Sequence, residues 1–359
     1  MKSLIFGYGK TGRSFEAYLK KKNINFDIYD ADLSILPKSE KTKNIKPTFE
    51  NLQKYKDIYI SPGIKIEDYF KKRNLSNLNF VSDLDIFFHE NNSYKIGVTG
   101  TNGKSTLVHL LEQALNFSSS AIALGNIGNP LLENISHSKK YSIIEASSYQ
   151  LDKMKNNFFD LAIITNIERD HIKYHGTFQK YKEAKLKICR SSIKSIFCDS
   201  DDYGAIAIKV AKKLEPDCNY KDLKLSFLPH RLEHFKDRFI DDSKSTNSSS
   251  LKYALKKLKF KDTLIMCGDP EKECLDEINI IGPNKVYIFG KHREALMKIV
   301  KHENINVCMD LDEIFIDLKK SKNFSKILFS PGNPSGKDFK NFIQRGKYFK
   351  NKVLEYFSE

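Results

Sequence analysis

The residues best suited to chemistry lie together in Lys95-Ile96-Gly97-Val98-Thr99-Gly100-Thr101-Asn102-Gly103-Lys104-Ser105-Thr106. A short apolar run ends there in a glycine-rich turn and opens directly into a helical pattern, which predicts a strand, a phosphate loop and a helix start. Backbone N–H groups in such a turn, with the positive end of the following helix, can surround the β- and γ-phosphates of a nucleotide. Lys104 adds charge and Ser105 a magnesium ligand. Position 98 is Val where the strict P-loop spacing wants Gly, so the match is to the shorter Gly-x-x-Gly-Lys-Ser. Gly100, Thr101, Asn102, Gly103, Lys104, Ser105 and Thr106 are the expected ATP contacts.

Three further strands are predicted downstream, ending at Gly125-Asn126-Ile127-Gly128, at Glu145-Ala146-Ser147-Ser148-Tyr149-Gln150-Leu151 and at Asn166-Ile167-Glu168-Arg169-Asp170-His171. In a parallel α/β sheet these ends share an edge with the phosphate loop, so Glu145 and His171 can converge on ATP. An acidic residue there typically holds magnesium. An isolated His would read as an ordinary loop residue, but His171 stands beside Asp170 at a strand end, which points to function. In the helix predicted over Thr177 to Cys189, Phe178, Tyr181, Lys185 and Ile188 share one face, with Lys182 near its edge. Spacing alone does not choose between the two lysines. A lysine in such a stripe either sends its head to water or is desolvated, with a lowered pKa. The second kind can react with carbon dioxide to give a carbamate, an anionic magnesium ligand.

These residues need a large scaffold, and 359 residues with 40% apolar content suffice for two or three domains. No stretch has the length of a membrane span, and Met1-Lys2-Ser3 leads straight into a strand, so a cytoplasmic protein is expected. Six scattered cysteines without a C-x-x-C pair indicate neither a zinc site nor a disulfide framework. The net charge of +15 comes mostly from lysine, since only 8 of the 60 basic residues are Arg. That imbalance argues against a nucleic-acid face, where Arg is favoured, and small anionic substrates are the expected partners.

A Rossmann-like opening is expected over residues 1–92. Strand Ser3 to Phe6 runs into Gly7-Tyr8-Gly9-Lys10-Thr11-Gly12, a G-x-G-x-x-G fingerprint, and a second strand ends at Asp30. Glycines admit a diphosphate and the acid accepts from a ribose or base. NAD, FAD and UDP all suit this pattern. Ser61-Pro62-Gly63-Ile64 lies at the end of another strand, where ligands usually sit. A central ATP-binding domain is expected over 93–228 and a third α/β domain over 229–359, with Pro229 a hinge.

Gly-Thr-Asn-Gly-Lys-Ser-Thr, Gly-Asn-Ile-Gly, Glu-Ala-Ser-Ser-Tyr-Gln-Leu, Asn-Ile-Glu-Arg-Asp-His and Tyr-Lys-Glu-Ala-Lys-Leu, in that order, resemble the Mur ligase family. Leu-Pro-His-Arg at 228–231, Asp-Ser-Lys-Ser-Thr-Asn at 242–247 and the segment Ser330 to Gly346 extend the likeness over nearly the whole chain. The resemblance is to the branch that adds D-glutamate to UDP-N-acetylmuramoyl-L-alanine in peptidoglycan precursor synthesis. It implies three α/β domains, ATP, two magnesium sites and a monomer. Ser105 and Glu145 would hold one magnesium; His171 and a carbamate on Lys185 would hold the second. Lys104, His171 and Lys185 would be the catalytic set. Gly9, Lys10, Thr11, Asp30, Ser61, Gly63, Asn126, Ser147 and Gln150 would face the UDP-sugar. Arg231, Asp242 and Lys244 would contact ATP, and Thr246, Lys272, Ser335 and Phe342 would hold D-glutamate. One departure stands out: Tyr203 to Phe227 lacks the family's His-Asn-x-x-Asn adenine motif, so the central domain looks trimmed. The rival readings are a ligase of the same family with another amino acid, a nicotinamide oxidoreductase suggested by the first glycine fingerprint, and a non-catalytic binding relative.

Overall fold

The computed structural model describes residues 1–38, 47–70, 74–125, 129–189, 194–270, 277–321 and 325–357. The chain is α/β, as expected, and divides into two compact units, Met1–Ser226 and Phe227–Glu359.

The first unit holds two parallel sheets. Strands β1 (Ser3–Phe6), β2 (Phe26–Tyr29), β3 (Ile58–Ile60) and β4 (Phe80–Val81) lie in the order β2-β1-β3-β4. The order reverses between β1 and β3, and the fingerprint after β1 and Ser61 after β3 both open on that crevice, the usual ligand position in such sheets. Gly12 is needed there because a Cβ would sit 2.1 Å from the Gly7 carbonyl oxygen. The second sheet contains β5 (Tyr94–Thr99), β6 (Ala121–Gly125), β7 (Tyr141–Glu145), β8 (Leu161–Ile164) and β9 (Lys194–Phe197), ordered β6-β7-β5-β8-β9. All its pairings are parallel, so the loops after β5, β7 and β8 emerge side by side. Central strand β5 is buried on both faces, as parallel strands are. Ile96 and Val98 pack against Leu107, Leu111 and Leu115 of helix Lys104–Ser118, and Gly97 faces Phe159 and Ile188.

In the second unit, β10 (Glu233–Phe235), β11 (Phe239–Asp241), β12 (Thr263–Met266), β14 (Lys285–Ile288), β16 (Ile305–Val307) and β17 (Ile327–Phe329) form a sheet ordered β10-β11-β17-β12-β14-β16; β13 (Ile278–Asn279) pairs apart with β15 (Val300–Lys301). Only β10 is antiparallel. The loops after β11 and β17 are joined by Arg345, whose side chain is fully buried. Its guanidinium donates to Ser243 Oγ (3.1 Å), to the Ser243 carbonyl (2.7 Å) and to the Asn333 carbonyl (2.9 Å). Arg345→Met strands these acceptors, and we expect a loss of about 3 kcal/mol of stability, read as an earlier urea midpoint for this unit. An unchanged midpoint would refute that role.

Among the described residues no helix is long and apolar enough to cross a membrane. Cys267 is buried and Cys189, Cys198, Cys218 and Cys308 are half-buried free thiols; Cys274 lies outside the described residues.

Candidate active site

The phosphate loop takes its shape from two left-handed glycines, Gly100 (φ +151°) and Gly103 (φ +82°). A Cβ on Gly100 would fall 1.8 Å from Thr165 Oγ1, and one on Gly103 would meet the Tyr203 hydroxyl at 2.1 Å. The loop after β8 clamps it. The Thr101 N–H donates to the Asn166 carbonyl (2.9 Å), the Asn102 N–H to Asn166 Oδ1 (2.9 Å), and Thr165 Oγ1 to the Asn102 carbonyl (2.6 Å). Helix Lys104–Ser118 starts at Gly103 with no side-chain cap. Its first N–H groups therefore face the loop's concavity, where an anion is favoured.

Two ammonium groups meet on this loop. Lys104 Nζ donates to the carbonyls of Gly100 and Thr101, both at 2.8 Å, and Lys185 Nζ donates to the same Gly100 oxygen at 2.6 Å. Lys185 is 2% exposed on helix Phe178–Leu186, whereas Lys182 is exposed, so the fold makes the choice that spacing left open. Burial first, and then repulsion from Lys104, hold the Lys185 amine well below the usual lysine range; Asp170 and Glu145 oppose the shift. The expected stripe needs one correction. Tyr181, Lys185 and Ile188 are buried, but Phe178 at the first turn is 40% exposed, because the helix has only just begun there.

Glu145 is buried at the end of β7. His171 has a left-handed backbone (φ +51°), its ring 3.5 Å from Asp170 Oδ2 and 5.0 Å, centre to centre, from Tyr149. Desolvation foremost, then Lys185 and Lys104, lowers its pKa against the pull of Asp170. Lys185 is thus within electrostatic reach of Lys104 and Glu145, and His171 within reach of both lysines. Aromatic packing, absent from the sequence reading, closes one side. Tyr181 donates to or accepts from Thr101 Oγ1 (2.9 Å), and His175 packs on Tyr174, Tyr181 and Tyr149 while bonding Ser148 Oγ at 3.0 Å. Burial pushes His175 down to about 4, so this ring is neutral at ordinary pH. Its spacing of four from His171 was the available signal.

The other candidates divide between exposed and internal positions. Gly9, Lys10 and Gly63 are exposed and Thr11 half-buried around the first glycine loop. Asp30 accepts from the N–H groups of Tyr8 (2.6 Å) and Asp32 (2.8 Å), and Ser61 Oγ donates to the Gly7 carbonyl (2.7 Å), so both shape that loop. Ser147 and Gln150 form a capping box on helix Ser148–Lys153, with Gln150 Nε2 also donating to buried Asp83 (3.0 Å). Ser105 and Thr106 open the phosphate helix, half-buried. Asn126 and Lys272 lie outside the described residues.

In the second unit Lys244 Nζ sits 4.5 Å from the centre of the Phe342 ring. Asn247, rather than Thr246, caps the following helix through Ser250. Ser335 is half-buried after Pro334, whose carbonyl accepts from the Asp269 N–H (2.9 Å). Asp242 is turned inward: Oδ1 accepts from the Leu232 N–H (3.2 Å) and Oδ2 from Ser330 Oγ (2.7 Å). Burial pushes its pKa up to about 7 against the help of those bonds. A carboxyl raised above its unfolded value contributes stability that is full below the ordinary carboxylate range and is lost as pH climbs through about 7. Asp242→Asn can keep both bonds without titrating. Its melting temperature should gain on the wild type between about pH 4 and pH 7 and run parallel to it above; profiles parallel throughout would contradict this.

A phosphate loop at the edge of a parallel sheet, with an acid, a histidine and a desolvated lysine gathered on it, describes a nucleotide-dependent transfer enzyme, and the family model for the Mur ligase middle domain matches residues 98–287. The chain belongs to the Mur ligase family. It is similar to the UDP-N-acetylmuramoylalanine--D-glutamate ligase of Buchnera aphidicola subsp. Schizaphis graminum, with 30% identity over 428 residues, 97% of this chain and 96% of that protein. The protein of the same name from Francisella philomiragia is 26% identical, covering 99% and 97%. Both alignments are longer than this chain, so gaps fall opposite it. Among solved structures, MurF ligase from Thermotoga maritima in complex with ADP matches with a TM-score of 0.56 at 14% identity, over 98% of this chain and 95% of that one. MurC from the same organism gives 0.52 at 13%, over 99% of each.

Proposed function

We propose that the chain is the ATP-dependent ligase that joins D-glutamate to UDP-N-acetylmuramoyl-L-alanine. The observation carrying this reading is the meeting of Lys104 and Lys185 on one phosphate-loop oxygen, with Glu145 and His171 in their field. The near full-length likeness to relatives of that name supports the choice of substrates.

The alanyl carboxylate attacks the γ-phosphorus of ATP, ADP departs, and an acyl phosphate results. The amine of D-glutamate then attacks the acyl carbon; phosphate leaves, the amine gives up a proton, and an amide bond remains. The first step brings two anions together, so the site must neutralise charge. Lys104 and the loop N–H groups do so at the phosphates. The donor chemistry suits magnesium: Ser105 and Glu145 would offer oxygens for one ion, and His171 with a Lys185 carbamate would hold a second. When bound, the metal screens the converging anions. The neutral Lys185 amine adds to the carbon of carbon dioxide and loses a proton, which turns its repulsion of Lys104 into attraction. Gly9, Lys10, Thr11, Asp30, Ser61, Gly63, Ser147 and Gln150 would serve the UDP-sugar, either directly or by shaping the loops that do, and Asn126 is assigned to it by the family motif alone. Arg231 and Lys244 would serve ATP, with Asp242 holding the Leu232 N–H next to Arg231, and Thr246, Lys272, Ser335 and Phe342 would serve the amino acid.

Purified protein with ATP, magnesium and the UDP-sugar should release phosphate with D-glutamate and not with L-lysine, L-alanine or diaminopimelate. Release with one of these in place of D-glutamate would favour another ligase of the family, and ATP binding without turnover a non-catalytic relative.

A further inference from the structure

Arg231 stands between two left-handed residues, His230 (φ +62°) and Leu232 (φ +50°). Neither is glycine, and a leucine in this region persists only where its surroundings over-determine it. Here they do. The His230 N–H donates to Glu233 Oε2 (2.7 Å), its carbonyl accepts from the Lys244 N–H (3.0 Å), and the Leu232 N–H is held by Asp242. The His230 ring bonds Asp241 Oδ2 through Nδ1 at 2.6 Å, with the two residues 4% and 0% exposed. Behind the ring lies Gly346, where a Cβ would come within 2.2 Å of Nδ1, so the imidazole is seated directly on the backbone of helix Phe342–Tyr356. His230, Glu233 and Asp241 are spaced closely enough to chelate a cation. Lys350 supplies that charge instead, 2.6 Å from Glu233 and 3.8 Å from Asp241.

We propose that His230, Glu233 and Asp241 are positioning residues for Arg231: they hold a strained turn so that its guanidinium is offered to the nucleotide in one orientation. The proposal rests on the assignment of Arg231 to ATP made above. An arginine fork recognises phosphate or ribose oxygens bidentately only if its base is fixed, and a turn with alternative backbone states would leave the fork mis-aimed in most of them. The sequence gives little hint of this, because His only tolerates left-handed backbone better than most residues and Leu avoids it.

The test uses the full chain in the phosphate-release assay, with melting curves as a fold control. Half-buried Glu233→Ala and core His230→Leu should each raise KM for ATP about tenfold while kcat changes less than about threefold. His230→Asn, which tolerates left-handed backbone and restores an N–H donor to Asp241, should recover most of the loss. In an Arg231→Ala background, adding Glu233→Ala or His230→Leu should change KM less than about twofold, because nothing remains to be aimed. Full repetition of the loss in that background, or no recovery with Asn, overturns the positioning role alone. An Arg231→Ala variant with unaltered KM would instead show that Arg231 does not serve ATP, and both statements would fall.

Discussion

Lys185→Ala should lower the rate of phosphate release about 10³-fold while the protein still melts within a few degrees of the wild type. The reason lies in the surroundings of Nζ. Lys185 is buried, lies 4.8 Å from the centre of the Tyr181 ring and shares the Gly100 oxygen with Lys104. As an ammonium it adds a buried positive charge beside another, which is poor for stability and useless for holding a cation. As the proposed carbamate it would instead be an anion facing Lys104 and able to hold a cation. Alanine cannot be carbamoylated and leaves a small cavity, so on this reading chemistry suffers far more than folding. Exposed Lys182→Ala is the control and should stay within about twofold. A Lys185→Ala variant within tenfold of the wild-type rate would take Lys185 out of the mechanism.

The second large effect is expected at Gly100. Its φ of +151° is strained for any other residue, and a Cβ would meet Thr165 Oγ1 at 1.8 Å and the Asn166 carbonyl at 3.1 Å. Gly100→Ala must displace either the loop after β8 or Gly100 itself, whose carbonyl receives both lysines. We expect about 2–4 kcal/mol of destabilisation and at least about a tenfold loss of ATP affinity, measured by urea unfolding and by titration calorimetry. Wild-type affinity in a folded variant would mean that the loop does not hold the phosphates.

What the sequence made legible was short-range. Gly100, Gly103 and Lys104 declare themselves because turn geometry and phosphate charge act within a few residues. Strand ends at Glu145 and Asn166 follow from apolar runs breaking into polar clusters, and parallel pairing then fixes their common edge. Lys185 could not be separated from Lys182, since helical spacing places both near one stripe and only the folded helix, with Tyr181 on Thr101 and Lys185 on the Gly100 carbonyl, shows which is buried. Short β10 and β11 went unread for a different reason: three-residue strands carry too little alternation to stand out. Asp242 and Arg345 were harder still. One read as a ligand contact and turns inward to Leu232 and Ser330, while the other drew no notice and ties two loops together from a fully buried position. Their partners are distant in sequence, and no local pattern encodes them.

The most direct measurement follows an oxygen atom. UDP-N-acetylmuramoyl-L-alanine labelled with oxygen-18 in the alanyl carboxylate is turned over with ATP and D-glutamate, and the released phosphate is weighed by mass spectrometry. Passage through an acyl phosphate predicts one labelled oxygen in each phosphate and one left in the amide product. Unlabelled phosphate, with one heavy oxygen kept in the amide and the other lost to water, would contradict it.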